Sequence, residues 1–582
     1  MPDILSTKPF RWLVASLLLL GISTGAWPVR AALQSGDFQA RALSQLMPRS
    51  PVIARVQFLL NEFDIYTGPV DGRMNDELNT AVKHYQRVSG LQPDGRVNEE
   101  LLAHIEFKGQ AQSLLARLEE ASETQRDIAR KQLQQSSATR SLMDKDRRNI
   151  VADPTRDPTL CYDAPTVACL ITEAIEAAKA VHRRHFRDWV YGEIAIVQAR
   201  ARMPEAARTS AGYIDDPRLI IKTLRNIAQA QADTDQLEAA AVSAGIVPDR
   251  WSRAEALVAL AGGQARAGDW PTARQSIADV RTMLGEVGDE RPKTALLGAL
   301  ANALAAAGDE ASALVILQDE GQRILYHSNN PEASAQVYKL STLSTAYSDL
   351  DRPNEGRAYL PDVKHAVQRR TALIALARAE ARAAHDTLAT EVASELKEAR
   401  FRAVAQADVG RIQMMAGRVD VARGSLDQAD ASVAEIDPSR KFSRAHAIDR
   451  ISDAWLVGGF LTESENTAGQ IGDAKLRAFA LARIGQVNEA RGNALEAQRL
   501  FLQMDAAAAE ISSSLDRVWM YANASLYLAA RGSAAAALSA FDRALGIVRH
   551  MTSSWARAQA LVRLVSALGG LSKSGVSPSA KE

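Results

Sequence analysis

The segment Trp251-Ser-Arg-Ala-Glu-Ala-Leu-Val-Ala-Leu260 recurs near the end of the chain as Trp555-Ala-Arg-Ala-Gln-Ala-Leu-Val-Arg-Leu564. The two segments agree at seven of ten positions. Their alanine and apolar residues have the spacing of a buried helix face. Weaker copies are marked by the basic residue at the third position, namely Arg253, Lys293, Arg369, Arg402, Arg444, Arg477 and Arg557. Further copies are expected near Arg218, Glu332 and Arg517.

Successive marker residues are 33 to 42 residues apart, or about twice that distance. Periods of this length are typical of solenoids, whose units gain stability by stacking. Each unit has an alanine-rich helix, a glycine turn such as Ala267-Gly-Asp269, and a second amphipathic helix such as Trp270–Val280. The pattern resembles the tetratricopeptide repeat class, although the full consensus is absent. We predict an all-α fold with a tetratricopeptide-like α-solenoid over 159–570 and a disordered Ser-rich tail over 571–582.

A second repeated sequence lies closer to the N-terminus, as Asp71-Gly-Arg-Met-Asn-Asp-Glu-Leu78 and Asp94-Gly-Arg-Val-Asn-Glu-Glu-Leu101. In each copy an Asp-Gly pair forms a tight turn, and Asn75 or Asn98 can cap the helix that follows. The acidic pair after each asparagine suits the positive end of the helix dipole. Together with the apolar helical pattern of Val52–Leu60, these signals predict a compact unit of three short helices.

These residues resemble the peptidoglycan-binding domain 1 family. The matching positions are Val56-Gln57, Leu60, Gly68, Asp71-Gly72, Ala81-Val82, Tyr85-Gln86, Gly90-Leu91 and Asp94-Gly95. The resemblance implies a small domain over 48–107 that binds peptidoglycan. The ligand-binding residues that it implies are Asp71, Gly72, Tyr85, Gln86, Asp94 and Gly95. The alternative is a three-helix spacer without a ligand, because Leu78 and Leu101 replace threonines that are usual in the family.

The first 31 residues have the order of a secretory signal peptide. Lys8 and Arg11 precede the apolar run Trp12–Leu20, and small residues follow up to Ala31. The apolar run is short for a permanent membrane span, although an uncleaved anchor is the alternative. We therefore expect a periplasmic protein that is not an integral membrane protein after cleavage.

The chain has two cysteines, Cys161 and Cys169. On one continuous helix they would lie too far apart for a disulfide. However, Asp163-Ala-Pro165 reads as a cap and first turn, so Cys161 can fold back from the segment before the helix. Because export leads to an oxidising compartment, we predict a structural disulfide. Two free thiols or a redox pair are the alternatives.

The stretch 108–158 is polar and charged and has few large apolar residues. We predict a charged linker that is partly helical and partly disordered. A short coiled coil that dimerises the protein is a weaker alternative.

Composition and motifs argue against several classes of function. Lys plus Arg and Asp plus Glu number 69 each, so no net field attracts the chain to nucleic acid. The sequence has no zincin, P-loop or dinucleotide motif and no cysteine and histidine cluster with zinc spacing. His182-Arg-Arg-His185 is typical of a solvated basic helix face. We therefore predict no catalytic residues, no metal and no cofactor.

Two functions remain open from the sequence. The first is a non-catalytic periplasmic scaffold that binds peptidoglycan through its N-terminal domain and unidentified cell-envelope proteins through its repeats. The alternative is a cell-wall hydrolase of the lytic transglycosylase kind, with a helical superstructure and a wall-targeting domain. Such an enzyme needs a catalytic domain with a general acid, and the repeats leave only 571–582 for it. The scaffold is therefore the favoured prediction.

Overall fold

A computed structural model describes residues 50–63, 65–143, 151–285, 290–326 and 334–576. The elements assigned within these ranges are helices, which confirms the predicted all-α class. The chain divides into two compact units with a boundary between Ala121 and Ser122. None of the helices in these ranges is long and apolar enough to cross a membrane. The predicted signal peptide over 1–31 and residues 577–582 of the predicted tail lie outside the described residues. The predicted start of the tail at residue 571 is wrong, because the helix Ser554–Lys573 continues to Lys573 and Leu571 is fully buried in its packing.

The smaller unit is the predicted three-helix domain. It contains α1 (Pro51–Glu62), α2 (Asp76–Val88) and the first turns of α3 (Glu99–Gln135). Helices α2 and α3 begin at the predicted positions, directly after Asn75 and Asn98. Asn75 Oδ1 accepts a hydrogen bond from the Leu78 amide at 2.6 Å, and Asn98 Oδ1 accepts one from the Leu101 amide at 2.8 Å. Its core consists of side chains from all three helices, namely Val56, Leu60, Leu78, Ala81, Val82, Tyr85, Leu101 and Ile105.

The second half of α3 belongs to the larger unit. Ala129 and Leu133 are buried in the apolar core of that unit, together with Leu142. The Arg218 guanidinium donates to Ser122 Oγ at 3.0 Å. The predicted linker over 108–158 therefore does not describe residues 122–143. The apolar residues that anchor this segment are few and widely spaced, so the sequence pattern alone showed only a charged stretch.

After the second half of α3, the larger unit continues with three short or medium helices, α4 (Ser137–Arg140), α5 (Thr159–Asp163) and α6 (Val167–Lys179). Helix pairs follow, and we call the first helix of each pair the A helix and the second the B helix. The A helices are α7 (Arg184–Arg200), α9 (Pro217–Ala232), α11 (Arg250–Arg266), α13 (Glu290–Ala306), α15 (Ser334–Asp349), α17 (Ala366–Arg382), α19 (Ala399–Met415), α21 (Lys441–Val457), α23 (Ala474–Ala490), α25 (Ser514–Ala529) and α27 (Ser554–Lys573). The B helices are α8 (Pro204–Ala211), α10 (Leu237–Ile246), α12 (Trp270–Gly285), α14 (Glu310–Tyr326), α16 (Pro353–Ala358), α18 (Asp386–Ser394), α20 (Val419–Ala434), α22 (Leu461–Gly469), α24 (Ala494–Ala509) and α26 (Ala534–Arg549).

The two ends of this helical array meet. Each A helix packs against the A helices before and after it and against its own B helix. The final A helix, α27, is followed by no B helix within the described residues, and α6 packs on it instead. Helix α27 also contacts α7, the first A helix. The eleven A helices that the structure describes therefore form a closed ring, and the B helix of the last pair comes from the N-terminal side.

Side chains at the seam show the same closure. The Trp555 ring on α27 lies 5.3 Å from the Phe186 ring and 6.2 Å from the Trp189 ring on α7, measured between centroids. Leu170 of α6 and Leu561 of α27 are both fully buried in one apolar cluster. Because neighbouring A helices touch one another around the ring, they form its tighter, inner layer. The B helices form the outer layer.

A disulfide lies beside the seam. It joins Cys161 of α5 to Cys169 in the first turn of α6, with the two Cα atoms 5.7 Å apart. Arg549, at the end of α26, donates to the Tyr162 carbonyl oxygen at 2.6 Å and to Asp163 Oδ1 at 2.8 Å. The disulfide and Arg549 together hold α5 between α6 and the end of α26.

The marker arginines of the repeats have a structural role. Each of the following donates to the carbonyl oxygen six residues earlier, near the end of the preceding B helix: Arg253 to Val247, Arg402 to Leu396, Arg477 to Ile471 and Arg517 to Ile511. The last carbonyl groups of a helix lack intrahelical partners, so the arginine supplies one. These four arginines thus fasten their A helices, α11, α19, α23 and α25, to the B helices before them.

Other expected members of the series differ. Arg369 donates to the carbonyl oxygen of Leu360, nine residues earlier, because the preceding helix ends in a 3₁₀ turn at that point. Arg218 pairs instead with Asp216. Glu332 lies outside the described residues.

Replacing Arg402 by Leu is expected to cost about 1–3 kcal/mol of local stability. The change leaves the Leu396 carbonyl without its donor and removes the hydrogen bond from Arg402 Nε to Ser432 Oγ at 3.1 Å. Hydrogen exchange of α18 and α19 in the full-length protein measures the loss as a lower opening free energy. The control is Arg281→Leu, which removes a half-exposed pair with Asp319 and should cost less than about 0.5 kcal/mol. Equal losses in both variants would contradict the structural role of the marker arginines.

Candidate functional site

The first Asp-Gly turn of the small domain is held by one buried glutamine. Gln57 Nε2 donates to Asp71 Oδ1 and to the Arg73 carbonyl oxygen, each at 2.9 Å. Gln57 Oε1 accepts from the Asp71 amide at 3.0 Å and from the Gly72 amide at 2.8 Å. Asp71 Oδ1 also accepts from the Arg73 amide at 3.0 Å. Gln57 is fully buried, and its whole amide is used to fix the turn.

The second turn repeats this arrangement with Gln86. Its Nε2 donates to Asp94 Oδ1 at 2.7 Å, and its Oε1 accepts from the Gly95 amide at 2.9 Å. Gly95 has φ +73°, and a Cβ on it would lie 2.6 Å from Asn79 Nδ2. Only glycine fits that position without strain. The two glutamine and aspartate pairs, Gln57 with Asp71 and Gln86 with Asp94, thus form matching clusters at the starts of α2 and α3.

Tyr85, which the resemblance implies as a ligand residue, lies in the core and is 1% exposed. Its ring stacks with Phe63, and its hydroxyl is 3.0 Å from His104 Nδ1. Burial raises the pKa of Tyr85 above its usual value. The structure therefore places the six predicted ligand residues in three settings. Gly72 and Gly95 are buried in the turns, and Gln86 is buried on α2 against the second turn. Tyr85 is buried in the core, and Asp71 and Asp94 are exposed in the turns.

Leu78 and Leu101, which differ from the family pattern, are core residues. Leu78 is fully buried and Leu101 is 5% exposed. Both follow their capping asparagine by three residues and point inward on the first turn of a helix. They enlarge the apolar core of a very small domain. The N-terminal caps are made by Asn75 and Asn98, so the turns keep their geometry without the usual threonines.

The exposed face of α1 carries a pair of residues that the sequence analysis did not single out. The Arg55 guanidinium lies 5.4 Å from the centre of the Phe58 ring, and Phe58 is 44% exposed. Arg55 Nε also contacts Glu106 Oε1 at 3.1 Å. Aromatic residues and arginine are enriched at binding surfaces. The sequence spacing could have predicted this pair. Arg55 and Phe58 are one helical turn apart, on the side of the helix away from Val56 and Leu60.

The charges of the two turns should make the small domain sensitive to acid. The hydrogen bond from Gln57 is the main cause that lowers the pKa of Asp71 below its usual 3.8. The backbone amide of Arg96, followed by Gln86, lowers the pKa of Asp94. Because the folded state favours both carboxylates in the charged form, their contribution is complete above pH 3.8 and is lost as the pH falls through the lowered values.

We therefore expect the small domain to lose protection against hydrogen exchange on acidification below about pH 4. The full-length protein is incubated at each pH and then labelled in a brief pulse at one fixed pH. In Asp71→Asn and Asp94→Asn variants, the protection of 50–105 against hydrogen exchange should be lower than in the wild type above this pH range. It should also change less as the pH falls. An unchanged profile in both variants would show that other groups govern the acid response.

Within the described ranges, no group of three or more His, Cys, Asp or Glu side chains is arranged to hold a metal ion. His182 and His185 are both exposed at the start of α7. The His185 ring contacts the Phe186 ring with centroids 4.2 Å apart.

Comparison with known proteins finds a family match for the small domain. Residues 49–105 match the model of a family described as a putative peptidoglycan binding domain. No curated protein matches the chain. The match covers α1, α2, the first turns of α3 and both glutamine and aspartate clusters.

Two solved structures have a remote likeness to the chain. One is the crystal structure of Ton1535 from Thermococcus onnurineus NA1, with 17% identity, coverage of 55% of this chain and 94% of that chain, and a TM-score of 0.25. The other is a circular tandem repeat protein with novel repeat topology and enhanced subunit contact surfaces, with 12% identity, coverage of 93% and 98%, and a TM-score of 0.16. Both scores are too low to support an argument about this chain. The family match therefore concerns residues 49–105, which are similar to a putative peptidoglycan binding domain.

Proposed function

We propose that the protein is a non-catalytic scaffold of the periplasm. Its N-terminal domain binds peptidoglycan, and its helical ring binds proteins of the cell envelope. The family match over 49–105 is the observation that carries the proposal. The basic, apolar and small residues of the first 31 positions support export.

The small domain is suited to weak binding of a repetitive polymer. A single module of three short helices makes few contacts, but a polymer presents its ligand at high local concentration. Asp71 and Asp94 stay exposed at the two turns, and Arg55 and Phe58 are exposed on α1. Since Gln57 and Gln86 are occupied in the turns, they support binding through the fold, whereas Phe58 can contact the ligand directly.

The ring is suited to binding proteins because it presents two layers of helices. On the outer layer, α24 and α26 flank a groove of about 440 Å³ that includes Phe501, Leu502 and Arg543. Leu502 is 61% exposed. Apolar side chains at the surface of helical repeats are typical of contacts with other proteins.

The proposal is tested by sedimentation of the full-length protein with purified sacculi. We expect the protein to pellet weakly with the sacculi. A Phe58→Ala variant should pellet several-fold less, because the ring supplies contact area, while the hydrogen exchange of 50–105 stays unchanged. Gln92→Ala, at another exposed position of the same domain, is the matched control and should pellet like the wild type.

Two outcomes would contradict the proposal. If the wild type stays in the supernatant while a known peptidoglycan-binding module pellets, the small domain is a spacer. If the full-length protein releases muropeptides from the same sacculi, the alternative of a wall hydrolase is correct.

A further inference from the structure

The inner layer of the ring contains a cavity that is polar but uncharged. It has a volume of about 410 Å³, within the range of about 300–1,000 Å³ that is usual for pockets that bind small ligands. Three successive A helices, α13, α15 and α17, form this cavity, and we call it the hydroxyl cleft. Seven of its twelve lining residues have polar side chains, and none of the twelve is charged.

This chemistry differs from that of other parts of the inner layer. There, ion pairs join neighbouring A helices, for example Arg225 of α9 with Glu255 of α11 and Arg483 of α23 with Asp453 of α21. The lining of the hydroxyl cleft is instead neutral. Because a charge that is buried without a partner is unfavourable, a ligand of this cleft is expected to be neutral as well.

The hydroxyl groups of the cleft already use their protons within the protein. Thr342 Oγ1 donates to the Tyr338 carbonyl oxygen at 3.0 Å. Thr345 Oγ1 donates to the Ser341 carbonyl oxygen at 2.9 Å, and Ser341 Oγ donates to the Gln368 carbonyl oxygen of α17, also at 2.9 Å. A hydroxyl group has one proton and two lone pairs, so each of these oxygens remains an acceptor.

Two side-chain amides of the lining add further acceptors. Asn302 Oδ1 and Gln368 Oε1 are shielded from solvent and accept no hydrogen bond from the residues that the structure describes. The other end of the Asn302 amide donates to Asp349 Oδ2 at 3.4 Å. An unpaired buried carbonyl oxygen is unfavourable, and a ligand donor in the cleft relieves this cost once the amide turns toward it. The cleft therefore suits a ligand that brings many hydrogen-bond donors.

An aromatic ring completes the lining. Tyr338 is 37% exposed, whereas its neighbours Val337 and Leu340 enter the apolar core on the other side of α15. The Tyr338 ring thus offers an apolar face to the cleft instead of to the core. Sugar rings combine an apolar C–H face, which stacks on aromatic rings, with several hydroxyl groups that donate hydrogen bonds.

We propose that the hydroxyl cleft binds a neutral oligosaccharide. Each sugar hydroxyl can donate to the threonine and amide oxygens of the lining. A peptide backbone fits less well, because its carbonyl groups would face further acceptors. The choice of the wall glycan as the source of the ligand rests on the proposed function, in which only the small domain contacts the wall.

The probe for the test is a tetramer of N-acetylglucosamine. It is titrated by calorimetry into the full-length Phe58→Ala protein, in which binding by the small domain is reduced. We expect saturable binding whose Kd changes less than about twofold between about 0.05 and 0.5 M salt, because the ligand and the cleft are both neutral.

Tyr338→Ala in the same background should raise the Kd at least about tenfold, because the stacking face is lost. Tyr338→Phe keeps that face and should bind like the parent protein to within about threefold. Phe442→Ala removes a ring that is 61% exposed on another A helix, α21. It is the matched control and should change the Kd less than about twofold.

A second variant tests the acceptors without changing the shape of the cleft. Thr342→Val removes one oxygen and should raise the Kd about threefold or more. Thr282→Val is the matched control on the outer helix α12, since Thr282 Oγ1 also donates to the carbonyl oxygen four residues earlier, that of Ala278, at 2.9 Å. It should change the Kd less than about twofold, and circular dichroism should stay unchanged in both variants.

Three results would overturn the inference. They are the absence of saturable binding to the Phe58→Ala protein, an unchanged Kd in Tyr338→Ala, and binding of an uncharged serine and glycine peptide that is as tight as binding of the tetramer. Sacculus sedimentation separates the two proposals. If the wild type pellets and the Phe58→Ala protein binds no tetramer, the inference fails while wall binding by the small domain stands. If the wild type stays in the supernatant and the Phe58→Ala protein binds the tetramer, the cleft stands and the proposed wall binding fails.

Discussion

Removing residues 554–582 is expected to lower the protection of the α6 amides against hydrogen exchange, although α6 lies at the other end of the helical array. In an open solenoid each unit depends only on its neighbours, so loss of the last helix would weaken α25 and α26 alone. In the closed ring α27 is also the partner of α6 and α7. The deleted helix carries four leucines that are between 0% and 3% exposed, namely Leu561, Leu564, Leu568 and Leu571. Burial of each contributes about 1.5–3 kcal/mol as an upper estimate.

The opening free energy of α6 should therefore fall by about 4 kcal/mol or more, which is roughly a thousandfold loss of protection. Hydrogen exchange of 167–179 in the truncated protein measures this loss. The control ends after Val576 and keeps all of α27. If 167–179 keeps its protection in the protein that ends at Ser553, then the ends of the array do not depend on one another and the ring is open in solution.

The repeat architecture could be predicted because each repeat carries its own local signals. Gly268 and Gly417 adopt the positive φ angles that end their A helices, as their turns predicted. Closure of the ring could not be predicted in this way. It depends on the sum of many small rotations between neighbouring units, and no single residue encodes that sum. The sequence of α6 does not indicate closure, because it is that of an ordinary amphipathic helix. Its partner α27 lies nearly 400 residues later in the chain.

The small domain shows a different limit of sequence reasoning. The positions that match the family include Gln57, Gln86, Asp71 and Asp94, and the pattern located all four. In the structure the two glutamines hold the two turns, whereas the pattern alone suggested that Gln86 was a ligand residue. A recurring polar residue can be required by the fold or by the ligand, and its spacing does not distinguish the two. Hydrogen-bond partners do for Gln57, because its amide donates both of its N–H groups within the turn and has no donor left for a ligand.

Replacing Gln57 by Leu is expected to unfold the small domain and abolish sacculus binding. The variant keeps the size of the side chain but leaves the Asp71 and Gly72 amides and the Arg73 carbonyl without their partners. The Gly72 amide is buried, and a buried group that loses its partner costs about 1–3 kcal/mol, while the two part-buried groups each add less. A domain of this size has a total stability of only about 3–8 kcal/mol, so the summed loss is comparable with the whole.

The effect is measured by hydrogen exchange of 50–88 in the full-length protein, with exchange of the ring as an internal reference. Protection in the small domain should be lost while protection in the ring stays unchanged. Gln92→Leu changes the same type of side chain at an exposed position of the same domain and should leave both unchanged. A Gln57→Leu variant with normal protection that no longer binds sacculi would contradict this view, because Gln57 would then act on the ligand. A variant that keeps both protection and binding would show that the turn holds without the glutamine, since Asp71 Oδ1 still accepts from the Arg73 amide and Asn75 still caps α2.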